Sequence, residues 1–518
     1  MQLVGIMAVQ LKNIKRPVAF ENVGDREMVD GVDKRSKDSA AMVPYWDKTD
    51  AIMGGVQTMR DSKDQYLPKF PKETKDDFDF RLEATKFTNI FRDIVEGLSA
   101  KPFEEPVSLV GDNVVQAFTD FADDVDGDGN NLSVFASATF FNGIAHAIDW
   151  ILIDYPTVDL TKVKTKADQK AAGVRPFWSH VLGRNVLKAE SKIINGEQIL
   201  TLVRILEPGD PDMIREFTRS DDGLVTWQLY RKDTSGTSGK TEWIKDVGGS
   251  LTINVIPLVP FATGRRDGNG FNYFPAMQDA ADLQIELYQQ ESALKFAKIL
   301  TAYPMLSGNG VKPEKDEQGQ PKPLSLGPAK VLYAPPDGNG NSGSWSYVEP
   351  SAQSLTFLAS DIKDTKQDLR ELGRQPLTAA ANVTVINSAM AAGKAKSAVG
   401  AWAIGLKDAL ENAMKITALW LKLDGQEPDV NVYTEFDNFL DGDGGLEHLR
   451  SLRDNGDLSQ KTLHAETKRR GVLSAEFDHD EELKNILAEV PGDEFSEDDD
   501  GIEDDPQNPN EPQLPGIG

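Results

Sequence analysis

Residues 275–304 read PAMQDAADLQIELYQQESALKFAKILTAYP, and in them Ala276, Ala280, Leu283, Leu287, Gln290, Leu294, Ala297 and Thr301 alternate steps of four and three. Such a seven-residue repeat draws one stripe along a helix, and Pro304 cannot continue it. The spacing predicts a rod of about 40 Å at 1.5 Å rise per residue. A second repeat runs through Leu355, Leu358, Ile362, Thr365, Leu369 and Leu372, with Ser351 placed to cap its start and Gly373 and Pro376 to stop it. Between the two rods, residues 302–350 carry seven Gly and eight Pro in 49 positions, against 43 Gly and 28 Pro in all 518. That insert has little to bury, and its segments Ala329 to Tyr333 and Ser344 to Val348 read as strands about a Gly-Asn-rich turn. Two shallow-angle rods flanking a small β insert is therefore the decisive pattern.

Outward from it, residues 376–387 are Thr- and Ala-rich with a β-branched cluster, Val383 to Ile386, and read as a loop. A third apolar stripe, Val399, Trp402, Ala403, Leu406, Leu410, Ala413, Thr417 and Leu421, predicts a helix starting near Ser388 and about 50 Å long. Upstream, the stripe Phe87, Ile90, Phe91, Ile94, Leu98 predicts a helix stopped by Pro102, followed by helical patches at 114–125 and 132–147. Between Trp150 and Gly264 the texture changes to short β-rich runs, Ile199 to Leu206, Val225 to Tyr230 and Leu251 to Val255, parted by turn clusters, which reads as an antiparallel sheet. Downstream come a strand near Val430 to Phe436 and helical segments at 446–453, 459–470 and 481–488. Residues 493–518 hold ten acidic residues and no basic one, a composition that reads as disordered.

Lys and Arg number 56 against 83 Asp and Glu, a formal charge of −27, so a broad cationic grip on nucleic acid is excluded. The absence of cysteine excludes disulfides, zinc ribbons, iron–sulfur clusters and thiol nucleophiles. Met1 to Arg16 places apolar residues before its lysines, the reverse of a secretory signal, so the sequons at Asn131 and Asn382 are read as chance. No apolar run approaches 18 residues, and membrane insertion is not expected. Asp124, Asp126, Asp128 and Gly129 copy the opening of a calcium loop, but Phe135 stands where the closing Glu belongs, so a turn is expected. The five histidines show no metal-ligand spacing, and neither a phosphate-binding Gly-rich loop with Lys-Ser/Thr nor a Ser elbow is present. No cofactor, metal or catalytic residue is expected.

Three passages, residues 66–103 (YLPKFPKETKDDFDFRLEATKFTNIFRDIVEGLSAKPF), 274–308, and 324–336 (LSLGPAKVLYAPP) with 347–373, resemble the portal proteins of tailed bacteriophages, in particular a subfamily catalogued as a domain of unknown function. In that family a ring, usually of twelve subunits, sits at one capsid vertex as the channel for packaging and ejecting DNA. The resemblance implies an α+β portal fold: an N-terminal arm (1–65), a wing (66–274), a first stem helix (275–304), a β-containing clip (305–350), a second stem helix (351–375), a tunnel loop (376–387), a long wing helix and strand (388–441), a helical crown (442–492) and the acidic tail (493–518). It implies a tunnel loop bearing Thr378, Asn382, Val383, Thr384, Val385 and Ile386. Channel-facing basic residues would be drawn from Lys363, Lys366, Arg370, Arg374, Lys394 and Lys396, which also fit a solvated helix face paired with Asp361, Asp364 and Asp368. The clip would present Lys312, Lys322, Lys330, Trp345 and Tyr347. A homo-oligomer, dodecameric, is implied, with non-specific double-stranded DNA, terminase, head–tail adaptor, major capsid protein and scaffold as partners and no membrane. Its place would be the virion, after assembly in the host cytoplasm. The alternatives are another head–tail connector or minor capsid protein and, remotely, a carboxylate-dependent hydrolase.

Overall fold

The computed structural model describes residues 28–111, 114–156, 174–233, 242–302, 305–311, 318–320, 343–348, 352–374, 397–434, 444–469, 473, 477–479 and 482–485, within two compact units, Met1–Asp437 and Asn438–Gly518. The first unit opens with strand β1 (Met28–Val29) and helices α1 (Lys37–Gly54), α2 (Val56–Asp61), α3 (Lys75–Ala84) and α4 (Ile90–Ala100). Strand β2 (Ser108–Val110) and helices α5 (Gln116–Ala122) and α6 (Leu132–His146) follow. Side-chain oxygens of Ser36, Thr74, Asn89 and Asn131 accept from the N–H three residues on, which is why α1, α3, α4 and α6 start where they do. Asn131, first residue of a sequon, thus serves as a cap.

Next come β3 (Ile148–Asp154), β4 (Phe177–Leu182), β5 (Val186–Ile194), β6 (Glu197–Glu207), β7 (Met213–Arg219), β8 (Val225–Asp233), β9 (Glu242–Ser250), β10 (Leu258–Ala262), β11 (Arg265–Asp267) and β12 (Asn272–Phe274). They form a six-stranded antiparallel sheet ordered β1-β9-β8-β7-β6-β5, a three-stranded sheet β10-β3-β4 and the hairpin β11-β12. The second half holds α7 (Gln278–Ala302), β13 (Met305–Asn309), β14 (Ser344–Val348), α8 (Ala352–Arg374), α9 (Ala398–Leu421) and β15 (Asp429–Asn431), the last paired with β2. The second unit contains α10 (Gly444–Asp454) and α11 (Gln460–Arg469). The chain is α+β.

The three-stranded sheet is the centre of the core. Strand β3, IDWILID, is buried along nearly its whole length because α6 and α9 both pack on its sheet. Trp178 on β4, fully buried, takes Phe121 and Phe135 edge-on and donates its indole N–H to Thr417 Oγ1 of α9 at 2.9 Å. Gly143 in α6 is indispensable to this packing, since a Cβ there would lie 2.3 Å from the Phe261 ring on β10. One continuous apolar cluster runs from α1 to β15 through these contacts.

Three expectations change. Leu251 to Val255 is not a strand: the strand is β9, ending at Ser250, and the following residues bend toward β10. Residues 37–84, given no helices by pattern, form α1 to α3; Pro44 inside α1 interrupts the signal without ending the helix. Gly373 does not stop the second rod, which runs to Arg374. Beyond these, the third rod is shorter than its expected length of about 50 Å, since α9 opens at Ala398 behind the N-cap Ser397, ten residues after Ser388. Ala329 to Tyr333, residues 388–396 and the tail lie outside the described residues.

Candidate functional site

The two predicted rods pack on each other as α7 and α8, and the chain between them is pinned where it leaves and returns by the antiparallel pair β13–β14, with Met305 opposite Val348 and Asn309 opposite Ser344. The partner of Ser344 to Val348 is therefore Met305 to Asn309, which no alternation in the sequence marked. Gly308 makes the pairing possible at its crowded point, because a Cβ there would meet the Trp345 ring at 2.8 Å.

The stripe that α7 buries is offset from the heptad read in the sequence. Met277, Ala280, Ala281, Gln284, Leu287, Tyr288, Glu291 and Ser292 are buried, whereas Leu283 and Gln290 are half-buried. Polar residues thus occupy the seam; Gln284, Gln290, Glu291 and Ser292 each have a partner, whereas the buried Tyr288 hydroxyl has none among the described residues. Gln284 Oε1 accepts from the N–H groups of Ile90 (2.9 Å) and Phe91 (3.0 Å) and its Nε2 donates to Thr88 O (2.9 Å). The side chain closes the exposed N-terminus of α4 as a cap supplied from a distant helix. Glu291 accepts from Thr88 N (3.0 Å) and Thr88 Oγ1 (2.7 Å) and from Lys366 Nζ of α8 (2.7 Å). Gln290 Nε2 donates to Asp361 Oδ2 of α8 at 3.0 Å.

Beside this seam lies Arg81, 2% exposed. Its Nε and Nη2 reach the two oxygens of Glu73 at 2.7 and 2.8 Å, Nη2 also reaches Pro68 O at 2.9 Å and Nη1 reaches Ser292 Oγ at 3.2 Å. The guanidinium lies over the rings of Phe70 (4.0 Å) and Phe78 (5.4 Å). Hydrogen bonding from Arg81 holds the Glu73 carboxyl below its ordinary range. The C-terminal end of α8 closes against α4 because Gly373 is buried and a Cβ on it would stand 2.6 Å from Ile94. Residues 66–103 and both rods are thus one polar-and-apolar joint.

Of the basic residues assigned to a channel, Lys363 and Arg370 are exposed on α8, while Lys366 turns inward to Glu291. Asp361, expected to pair with lysines on its own helix, accepts instead from Gln290. Tyr347 is opposite Leu306 in the β13–β14 ladder and Trp345 opposite Gly308. Arg374 is the last residue of α8, and its side chain lies outside what is described. Lys312, Lys322, Lys330, Lys394 and Lys396, and the loop residues Thr378, Asn382, Val383, Thr384, Val385 and Ile386, lie outside the described residues. The interhelix partners Gln284, Glu291, Arg81 and Thr88 were not singled out from sequence; the only sign of them was polar residues inside an otherwise apolar repeat.

The calcium-like loop is a turn. Asp124 Oδ1 accepts from Gly127 N (2.8 Å) and Gly129 N (3.1 Å), and Asp126 Oδ1 from Asp128 N (2.9 Å). Arg175 Nη2 binds the other oxygen of Asp124, where a cation would need it. Burial raises the Asp124 carboxyl, but the Gly129 and Gly127 N–H donors and the Arg175 charge prevail and hold it below its ordinary value. His180 Nδ1 contacts the fully buried Asp149 at 3.2 Å and stacks flat on Phe135, and His146 Nε2 contacts Asp50 at 2.8 Å; both pairs brace the α6–β3 junction. Among the described residues no three His, Cys, Asp or Glu converge to hold a metal, and no helix is long and apolar enough to cross a membrane.

Residues 276–421, from α7 through α9, match the family described as "Domain of unknown function (DUF4055)". The likeness carried by residues 274–308 and 347–373 to a family catalogued as a domain of unknown function is thus found again across the rods and the insert. No curated protein matches the chain. Among solved structures, "Neck of empty GTA particle computed with C6 symmetry" aligns at 10% identity and TM-score 0.33, covering 77% of this chain and 89% of that one. "Neck of native GTA particle computed with C12 symmetry" aligns at 11% identity and TM-score 0.30 with the same coverages, 77% and 89%. "Virion of native gene transfer agent (GTA) particle" aligns at 10% identity and TM-score 0.34, covering 90% and 96%.

Proposed function

We propose that the chain is a portal-type subunit of a tailed-phage particle. It assembles as a ring at a capsid vertex, passes double-stranded DNA non-specifically through its centre, and offers its β13–β14 end to a head–tail adaptor and another face to the packaging terminase. It is a structural protein of the virion and not an enzyme. The observation that carries this reading is the antiparallel pair α7–α8 joined through β13–β14 and followed, after residues 375–396, by the long helix α9, within the span matched by the family. In such a ring α7 and α8 would be the channel-lining stem, 305–350 the clip, 376–387 the tunnel loop and 442–492 the crown.

The electrostatics suit a passage more than a binding site. Each neutralised phosphate adds salt-sensitive affinity that slows sliding, and a chain of net charge −27 offers few such contacts. Among the described side chains of α8, the exposed Lys363 and Arg370 are left to meet the duplex, since Lys366 is engaged with Glu291. Native mass spectrometry with negative-stain imaging of the purified chain tests the reading. A closed ring of about twelve copies with a central hole is expected; a monomer or dimer at micromolar concentration would sink it.

A further inference from the structure

In the second unit, α11 carries His464, and residues 477–479 return to meet it so that His479 Nδ1 lies 3.0 Å from His464 Nδ1. The two ring centres are 5.1 Å apart, with planes inclined at 68°. The centre separation exceeds the nitrogen separation by close to two ring radii, so both nitrogens lie near the line joining the rings and face each other head-on. That is the direction of an N–H···N hydrogen bond. Two rings chelating one metal ion would converge at an angle on a point off that line. One nitrogen must donate and the other accept, so the contact exists when the pair is neutral or carries one added proton. A second proton turns both nitrogens into donors and sets two cations against each other.

We propose that His464 and His479 form a proton-operated latch that fastens residues 477–479 onto α11 at neutral pH and releases them in acid. Other ties of this segment include Lys468 Nζ donating to Phe477 O at 3.0 Å, the Phe477 ring meeting His464 edge-on at 5.1 Å and the Glu482 N–H donating to Asp478 O at 3.0 Å. Both histidines are half-buried, so protons reach them without unfolding. The described charged groups on the elements that meet here are Lys461, Glu466 and Lys468 on α11, Asp478, Glu482 and Lys484 next to His479 in the chain, and Arg450, Arg453 and Asp454 on α10, which packs on α11. Opening follows the second proton, which leaves no acceptor between the two rings. The latch does not depend on the ring reading.

Hydrogen exchange of the full chain, read by mass spectrometry over peptides spanning 460–485 at pH 7.5 and 5.0 and corrected for intrinsic rates, tests it. Protection at 477–485 should fall at pH 5.0 by roughly fivefold or more, the worth of one hydrogen bond, while β3 and α9 keep theirs. His464→Lys, a permanent cation, should be open at both pH values. The His464→Gln/His479→Gln double variant should lose the pH dependence. Equal protection at both pH values, a closed His464→Lys variant, or pH dependence surviving in the double variant would each overturn the proposal. So would protection at pH 7.5 that disappears with EDTA and returns with zinc, which would assign the pair to a metal.

Discussion

Arg81 shows how a charge becomes a structural part when everything around it is arranged for one geometry. It is 2% exposed, its fork meets both oxygens of a Glu73 that is almost as buried, and its remaining donors go to Pro68 O and Ser292 Oγ. Removing one partner of a buried pair leaves the other charge uncompensated, so Arg81→Met is expected to cost about 3–5 kcal/mol. The Arg81→Met/Glu73→Leu double variant should be less damaged than the single one. Urea-unfolding midpoints of the two decide it, and a double variant worse than the single would contradict the pairing. His146 gives the pH counterpart. Burial holds its pKa below the ordinary histidine value, outweighing the Asp149 charge and the Asn142 backbone hydrogen bond that raise it. Below about pH 6.5 the unfolded chain takes up a proton that the folded chain refuses. The His146 contribution is therefore full above that pH and is lost as pH falls toward the depressed folded value. Melting temperature should drop between pH 7.5 and 5.5, and drop less in His146→Gln.

At the scale of elements, α4 is held by α7 through side chains nearly two hundred residues away in sequence. Gln284→Leu would strip the acceptor from the N–H groups of Ile90 and Phe91, two buried donors at about 1–3 kcal/mol each. Glu291→Gln keeps an acceptor for Thr88 and gives up only the charge facing Lys366, so it should cost clearly less. Thermal melts of the two variants check that order, and limited proteolysis near residue 88 should cut only the first faster. The same elements show what periodicity can reveal. Repeats located α7, α8, α4 and α6 within a few residues, and the end of α9 though not its start, because an apolar stripe is a local property of spacing. They misplaced the buried face of α7, since Gln284 and Glu291 become core residues only when Ile90, Phe91, Thr88 and Lys366 arrive from elsewhere. Lys366 looked like its exposed neighbours Lys363 and Arg370 for the same reason. Strand β13 was invisible because Met305 to Asn309 has no alternation and acquires its identity from β14. Helices α1 to α3 went unread because Pro44 and dense charge hide a buried face built from Met42, Tyr45, Trp46 and Ile52.

For the whole molecule, charge is the property that scales with assembly. The net −27 is carried unevenly, with ten acidic and no basic residues in 493–518 and −17 on the remainder. If the chain closes into a ring of about twelve, every copy brings that charge near its neighbours, and association works against mutual repulsion. Repulsion between solvent-exposed charges is screened with a Debye length of about 30 Å at 0.01 M salt and about 8 Å at 0.15 M. Rings should therefore be sparse at very low salt and more abundant near physiological ionic strength, provided the contacts between copies are mainly apolar. Deleting residues 493–518 removes more than a third of the net charge, so the truncated chain should form rings at lower salt than the full chain. Titrating both chains from 0.01 to 0.3 M salt, with ring mass read by sedimentation velocity, separates the possibilities. A salt response of the same midpoint in both would mean that the tail lies beyond a screening length from its neighbours. Rings that dissociate as salt rises would mean instead that copies are held by ion pairs, a different interface from the one the acidic composition favours.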